Sequence, residues 1–286
     1  MQSTGTFKAK PITYDKGLTL RFLYKTLPGR IILYFLAKTA VSKLAGRVMD
    51  GAFTKAFIPG FIKQNNLDMG QYEDTAYRSF NDFFERKVKA EYRPFPQNEN
   101  EAIAPCDGKL TAYKITADSE FHIKHSEYTV SDLLKDELLA AEYTDGICLI
   151  YRLTPDDYHR FCYIDDGQIL ESKKIDGVLH TVRPVTQRRY NVLTENSREY
   201  ALMQTENFGK VVQMEVGALF VGKIVNYKAG GAVKRGEERG LFRFGASTII
   251  MLYQKNTLTL APEIYENTTN NKETLVKMGE TIGMVL

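Results

Sequence analysis

The sequence predicts an α+β protein: a helical, basic N-terminal region followed by a mostly antiparallel, β-rich domain. Three observations carry that expectation. Charge is unevenly divided, since residues 1–60 hold ten basic and two acidic residues while the remaining 226 carry 28 basic against 33 acidic. Helix-type apolar spacing is confined to the first third, and short β-branched and aromatic runs separated by Gly-rich or charged turns fill most of the rest. With 43% hydrophobic and 12% aromatic residues, a 286-residue chain can fill a sizeable core, which excludes disordered and fibrous classes. A net charge of +3 is too balanced to attract nucleic acid, and none is expected as a partner.

Residues 18–51 interleave aromatic and aliphatic blocks with single cations, split by Pro28 and Gly29; the second half suits a helix. Arg30, Lys38, Lys43 and Arg47 do not share one face, so two readings stand: docking on an anionic membrane surface, or a buried helix whose cations snorkel. The longest uncharged run here, 31–37, is far too short to span a bilayer, and the first 20 residues lack the plan of a secretory signal. A second helix is marked by Ser79 as N-cap, Asp82 where a capping-box acid belongs, and Phe80, Phe83, Phe84 and Val88 as its apolar stripe, ending before Arg93-Pro94. The polar stretch that follows sets a boundary near 93–101, giving a basic helical region 1–95 and a β-rich domain 96–286.

In that domain, 147–153, 211–216, 219–227 and 247–253 read as strands, with 228–240 as a charged, Gly-rich turn. One helix interrupts them over 131–141, capped by Ser131 and striped by Leu133, Leu134, Leu138 and Leu139. Cys106, Cys148 and Cys162 are odd in number and lack metal-type spacing, which fits a reducing compartment better than a disulfide framework or a zinc site. His122 and His125 flank Lys124, whose ammonium repels a cation, so no metal is expected there.

His159 stands where the chain leaves an apolar strand, close to Asp156, Asp157 and Cys162; Asp107-Gly108 forms a tight turn; and Gly245, Ala246 and Ser247 interrupt an otherwise continuous apolar run. Taken singly, each suits a surface loop, a turn and a bulge. Ser247 is no nucleophile elbow, because the G-x-S-x-G pattern fails at Ile249, and the glycine motifs of nucleotide and dinucleotide sites are missing.

In order, these segments resemble the phosphatidylserine decarboxylase family of pyruvoyl-dependent membrane enzymes. SFNDFFERKVKAEYRP (79–94) is similar to its F-N-D-F-F-x-R-x-L-K-x-x-x-R-P block, APCDG (104–108) to S-P-x-D-G, DYHRF (157–161) to D-Y-H-R, and RGEERGLFRFGAST (235–248) to its G-E-E-x-G-x-F-x-x-G-(G)-S-T cleavage segment; TVRPV, VLTENSR and MEVGALFVGKI follow in register. The resemblance implies an α+β enzyme that cuts itself between Ala246 and Ser247. Asp107, His159 and Ser247 would form the processing triad, and Ser247 would become a covalent pyruvoyl cofactor that forms a Schiff base with phosphatidylserine, releasing CO2 and leaving phosphatidylethanolamine. It further implies a large chain (1–246) paired with a small one (247–286), a phospholipid membrane as partner, and peripheral residence on the cytoplasmic side of a bacterial cell membrane; homo-oligomerisation stays open. Four positions depart from the family pattern: Cys162 where a second histidine is common, Ala246 for Gly, Arg183 for Asn and His125 for Gly. Two rivals follow, a relative acting on another amino-acid or serine-phospholipid substrate and a non-catalytic lipid-binding relative.

Overall fold

Among the described residues every strand runs antiparallel to the strands it pairs with, and the loops that cross between sheets set where the chemistry-bearing side chains lie. The structure, a computed structural model, describes residues 7–12, 22–24, 26–118, 120–123, 126–181, 191–218, 223–243, 245 and 247–286. His125, Arg183 and Ala246 lie outside the described residues, as do 219–222 of the expected strand 219–227 and the side chain of His122.

The N-terminal region begins with strand β1 (Ala9–Pro11) and continues through helices α1 (Leu27–Leu36), α2 (Thr39–Met49), α3 (Ile58–Asn65) and α4 (Phe80–Phe84). Pro28 falls in the first turn of α1, where its missing N–H costs nothing, and Thr26 Oγ1 accepts from the Gly29 amide at 3.1 Å. Leu33 packs inward, whereas Leu27, Ile31, Ile32, Tyr34 and Phe35 of α1, Leu44 and Val48 of α2, and Phe53 and Phe57 beyond it are exposed. The helix expected from Ser79 starts as the sequence indicates, with the Ser79 hydroxyl accepting from the Asp82 amide at 3.1 Å, but it ends at Phe84. Arg160 takes the Glu85 carbonyl, and the chain beyond turns extended, with Val88 bridging to Tyr72.

The β-rich part comprises β2 (Glu101–Ile103), β3 (Gly108–Lys114), β4 (Glu120–Ile123), β5 (Ser126–Thr129), β6 (Ile147–Leu153), β7 (Arg160–Cys162), β8 (Gly167–Ile175), β9 (Arg198–Thr205), β10 (Lys210–Val216), β11 (Ile224–Asn226), β12 (Gly231–Val233), β13 (Glu238–Phe242), β14 (Ser247–Tyr253), β15 (Leu258–Leu260), β16 (Lys272–Val276) and β17 (Thr281–Val285). Helices α5 (Val130–Leu134), α6 (Glu137–Ala141), α7 (Val192–Glu195) and α8 (Pro262–Thr269) complete it. The large sheet runs β1-β16-β3-β6-β14-β10-β9-β8-β12, and three-stranded sheets β11-β13-β7 and β15-β17-β2 accompany it. Strand β1 thus joins the edge of the β-rich part although it lies within the region expected to be helical.

Strand β14 is buried along its whole length because both faces of the sheet are covered: Ile249, Met251 and Tyr253 enter one apolar cluster and Ile250 and Leu252 the other. Its sequence is therefore continuously apolar and not alternating. The helix expected over 131–141 is two short helices, because Lys135 takes a left-handed conformation (φ 50°) and Asp136 caps a fresh start at the Leu139 amide. Thr129, not Ser131, caps the first, and Leu138 points to solvent while Leu133, Leu134 and Leu139 are buried.

Candidate active site

Two crossovers between the same pairs of strands build the site. Strand β6 pairs with β14 in the large sheet and β7 pairs with β13 in the small one, so the loops 154–159 and 243–246 both bridge the two sheets. His159 ends the first loop and Ser247 ends the second. Phe242, the last residue of β13, donates its amide to the His159 carbonyl at 2.9 Å, tying the start of the Ser247 loop to the histidine. The two sheets are braced nearby by a fully buried ion pair between Arg239 of β13 and Glu215 of β10, both contacts 2.9 Å, and by the Gln213 amide donating to the Cys162 carbonyl at 3.3 Å.

Ser247 faces Leu153 across the ladder and alternates with Ile249 and Met251, which points its side chain to the face beneath the small sheet. It is fully buried, and its Oγ has no hydrogen-bond partner among the described residues. Two residues earlier, buried Gly245 has φ +141°, a region that glycine enters freely and a side chain does not. The chain must be irregular here, and the sequence supplies the residue that permits it.

His159 is 1% exposed, with its ring 4.4 Å from that of Phe84. Its Nδ1 lies 2.9 Å from the Asp157 carbonyl. Because a carbonyl only accepts, Nδ1 carries the proton and Nε2 keeps its lone pair, with no partner among the described residues. Burial pushes the imidazole pKa down to about 4, the neighbouring Asp157 opposes this, and the charges of Arg86 and Lys109 reinforce it. The result is a neutral base shielded from water.

Asp107 does not meet His159. Its buried carboxylate accepts from Arg93 at 2.8 and 2.6 Å, from Lys277 Nζ at 2.9 Å and from the Met278 amide at 2.9 Å. Burial alone would raise its pKa, but the Arg93 hydrogen bonds and the Lys277 and Arg93 charges outweigh that and hold it below the usual carboxylate range. The turn reaches the histidine's strand through its backbone, since the Cys162 amide donates to the Pro105 carbonyl at 2.9 Å. Cys162 is buried and its thiol is pushed up to about 12 by desolvation, so it stays neutral.

Several residues at the site are not signalled by sequence. Asp157 supplies the carbonyl that orients His159, while its side chain accepts from Lys109 Nζ at 2.5 Å. Phe84, which reads as helix packing, forms the wall of the imidazole. Arg243, just before the Ser247 loop, pairs with Glu85 at 2.8 Å and with Asp50 at 3.7 Å, joining the loop to the ends of α4 and α2.

A buried serine opens a central strand and a buried imidazole ends the adjoining crossover between the same two sheets, and the class this defines is an α+β protein with an enclosed serine and histidine. Comparison with known proteins makes the class specific. The family profile described as phosphatidylserine decarboxylase matches residues 80–284. A phosphatidylserine decarboxylase proenzyme 2 of Clostridium acetobutylicum is 45% identical over 278 residues, covering 96% of this chain and 95% of that protein. Phosphatidylserine decarboxylase proenzymes of Clostridium perfringens and Fusobacterium nucleatum are 41% and 38% identical, covering 96% and 99% of this chain and 96% and 95% of theirs. The chain belongs to the phosphatidylserine decarboxylase family.

Proposed function

We propose that the chain decarboxylates phosphatidylserine to phosphatidylethanolamine and CO2 with a pyruvoyl group made from its own Ser247. The observation that carries this reading is the buried, unpartnered Ser247 hydroxyl at the irregular start of β14. A buried hydroxyl with no competing hydrogen bond among the described residues suits conversion into a carbonyl held in the same enclosure.

Self-processing begins when His159 Nε2 accepts the Ser247 hydroxyl proton and Oγ attacks the carbonyl of residue 246, exchanging the peptide bond for an ester. Loss of the Ser247 α-proton expels residue 246 as a carboxylate and leaves a dehydroalanine, which tautomerises to an imine; water then releases ammonia and leaves the pyruvoyl. Asp107 serves as a positioning residue, anchoring the 104–108 turn against the strand that carries His159. The pyruvoyl supplies an electrophilic carbonyl for the substrate amine and an electron sink for the charge left as CO2 departs. His159 Nε2 would take up the proton that the substrate ammonium gives up and return it to complete turnover, and burial keeps competing water from it.

The exposed apolar residues of α1 and α2, with Lys38 Nζ 4.8 Å from the centre of the Tyr34 ring, suit an interfacial helix pair whose cations meet anionic headgroups. No helix among the described residues is long and apolar enough to cross a membrane, and we read the association as peripheral, on the cytoplasmic face of a bacterial cell membrane.

An intact-mass spectrum tests the reading. The expected products are a 246-residue chain and a 40-residue chain with a blocked N-terminus, and Ser247→Ala should abolish both cleavage and activity on phosphatidylserine vesicles. An active preparation containing only the uncut 32.6 kDa chain would overturn it. Turnover of free serine in place of vesicles would favour a relative with a soluble substrate.

A further inference from the structure

Among the described residues, the buried arginines and lysines are answered by acceptors, with one exception. Arg93 is paired with Asp107, Arg239 with Glu215 and Lys109 with Asp157, and Arg198 donates to the carbonyls of Asp132, Leu133, Thr194 and Asn196. Arg86 is 3% exposed, yet its Nε and Nη1 have no partner and no carboxylate pairs with it among the described residues. Its one side-chain hydrogen bond among the described residues is long, Nη2 to the Tyr72 hydroxyl at 3.4 Å. The guanidinium lies 4.5 Å from the centre of the Tyr72 ring and 5.0 Å from that of Phe83. Stacking of this kind recovers only part of what burying an unpaired charge costs. Such a cation is retained where an anion arrives to meet it.

Its position says which anion. Arg86 follows Phe84, whose ring packs on His159, and the intervening Glu85 carbonyl is gripped by Arg160, the residue after His159, at 2.9 and 2.7 Å. The Arg86 charge is also felt at the His159 imidazole. Resting on the decarboxylase reading above, we propose that Arg86 is the oxyanion-binding residue of the active site and takes the phosphodiester of the substrate headgroup on its unpartnered nitrogens. The headgroup carries a second oxyanion, the carboxylate, but that group leaves as neutral CO2. A salt bridge to it would stabilise the ground state over the transition state and slow the reaction, whereas the phosphodiester charge is unchanged throughout and can be held without that penalty.

Steady-state kinetics on mixed micelles tests this with Arg86→Gln, using cleavage into two chains as the check of folding. The mole fraction of phosphatidylserine giving half-maximal rate should rise about 10–100-fold, with kcat within about threefold, as loss of uniform binding requires. Inhibition by glycerophosphoethanolamine, which has the phosphodiester but no carboxylate, should weaken by the same factor. If the KM rises while that inhibition is unchanged, the carboxylate is the ligand and the phosphodiester assignment falls. If Arg86→Gln is not processed, Arg86→Lys is read instead; it keeps the charge over the Tyr72 ring but loses the planar donor set, so the same rise in KM is expected. An unchanged KM in a processed variant overturns the proposal. Wild-type enzyme that cleaves itself but leaves phosphatidylserine untouched would instead refute the decarboxylase reading.

Discussion

His159 stays neutral at every pH near 7, because burial holds its pKa near 4 against an ordinary value of 6.5. Between those two values the unfolded chain binds more protons than the folded one, so stability is complete above about pH 6.5 and is lost as the pH falls toward 4. The loss attributable to this one group is of order 3 kcal/mol. Calorimetry should find a melting temperature that drops over that window, with a shallower drop in His159→Gln; equal slopes would show that the imidazole is not the buried titrating group. His159→Ala should leave the chain uncut. Cys162→Ala should still process and keep activity within about tenfold, since a thiol pushed up to about 12 moves no proton near neutrality; a loss of 10²–10⁴-fold would show that the thiol does acid–base work. Asp107→Asn removes the charge facing Arg93 and Lys277, and breaking a buried pair costs about 3–5 kcal/mol. Its melting temperature should fall by about 6–10 °C and its cleavage should slow. Cleavage at the normal rate would remove Asp107 from the processing residues and leave it as a clasp between the 104–108 turn and the 277–278 turn.

The proposed membrane contact lies on the outside of helices α1 and α2. Phe35 is 55% exposed and Ile31 58%, and each apolar side chain moved from water into a bilayer interface contributes about 1.5–3 kcal/mol. Ile31→Ser with Phe35→Ser should therefore lower partitioning onto anionic vesicles at least tenfold in a sedimentation assay, and salt should weaken binding without abolishing it, since screening acts only on the cations. Equal sedimentation of the double variant and the wild type would move the docking surface elsewhere. The same elements show what a sequence discloses. Local signals were legible: the Ser79 cap, the Asp107-Gly108 turn, the apolar run of β14 and the break at Gly245. Extents set by distant partners were not, because the end of α4 depends on Arg160 reaching Glu85, and β1 is three residues long with no pattern of its own. At the candidate site, the order of blocks points to Ser247 and His159, the two residues proposed above to start processing. The group that orients the imidazole could not be read that way, being a backbone carbonyl, and Arg86 reads as an ordinary helix-end cation until its burial is known.

At the scale of the whole molecule, the proposed cut before Ser247 would not divide the protein into two separable bodies. The 40-residue product would hold β14, β15, α8, β16 and β17. Strand β14 sits between β6 and β10 and pairs with both, β16 pairs with β3 and β1, and β17 pairs with β2. The small product would thus hold a central strand and three further strands of a shared core, and the ion pair from Lys277, itself half-exposed, to the buried Asp107 adds a link between the products. Losing it would expose Ile249, Ile250, Met251, Leu252 and Tyr253, which are fully buried, at a cost of order 10 kcal/mol from those side chains alone. On the other side of the proposed cut, Arg243 is tied to Glu85 and Asp50, which anchors the large product three residues before the cut. The expected behaviour is a heterodimer that elutes from gel filtration at the volume of the uncut Ser247→Ala chain, at micromolar dilution, and separates into two bands only after denaturation. Loss of the 40-residue chain in native buffer would mean that β14 is held less firmly than its pairing on both edges requires.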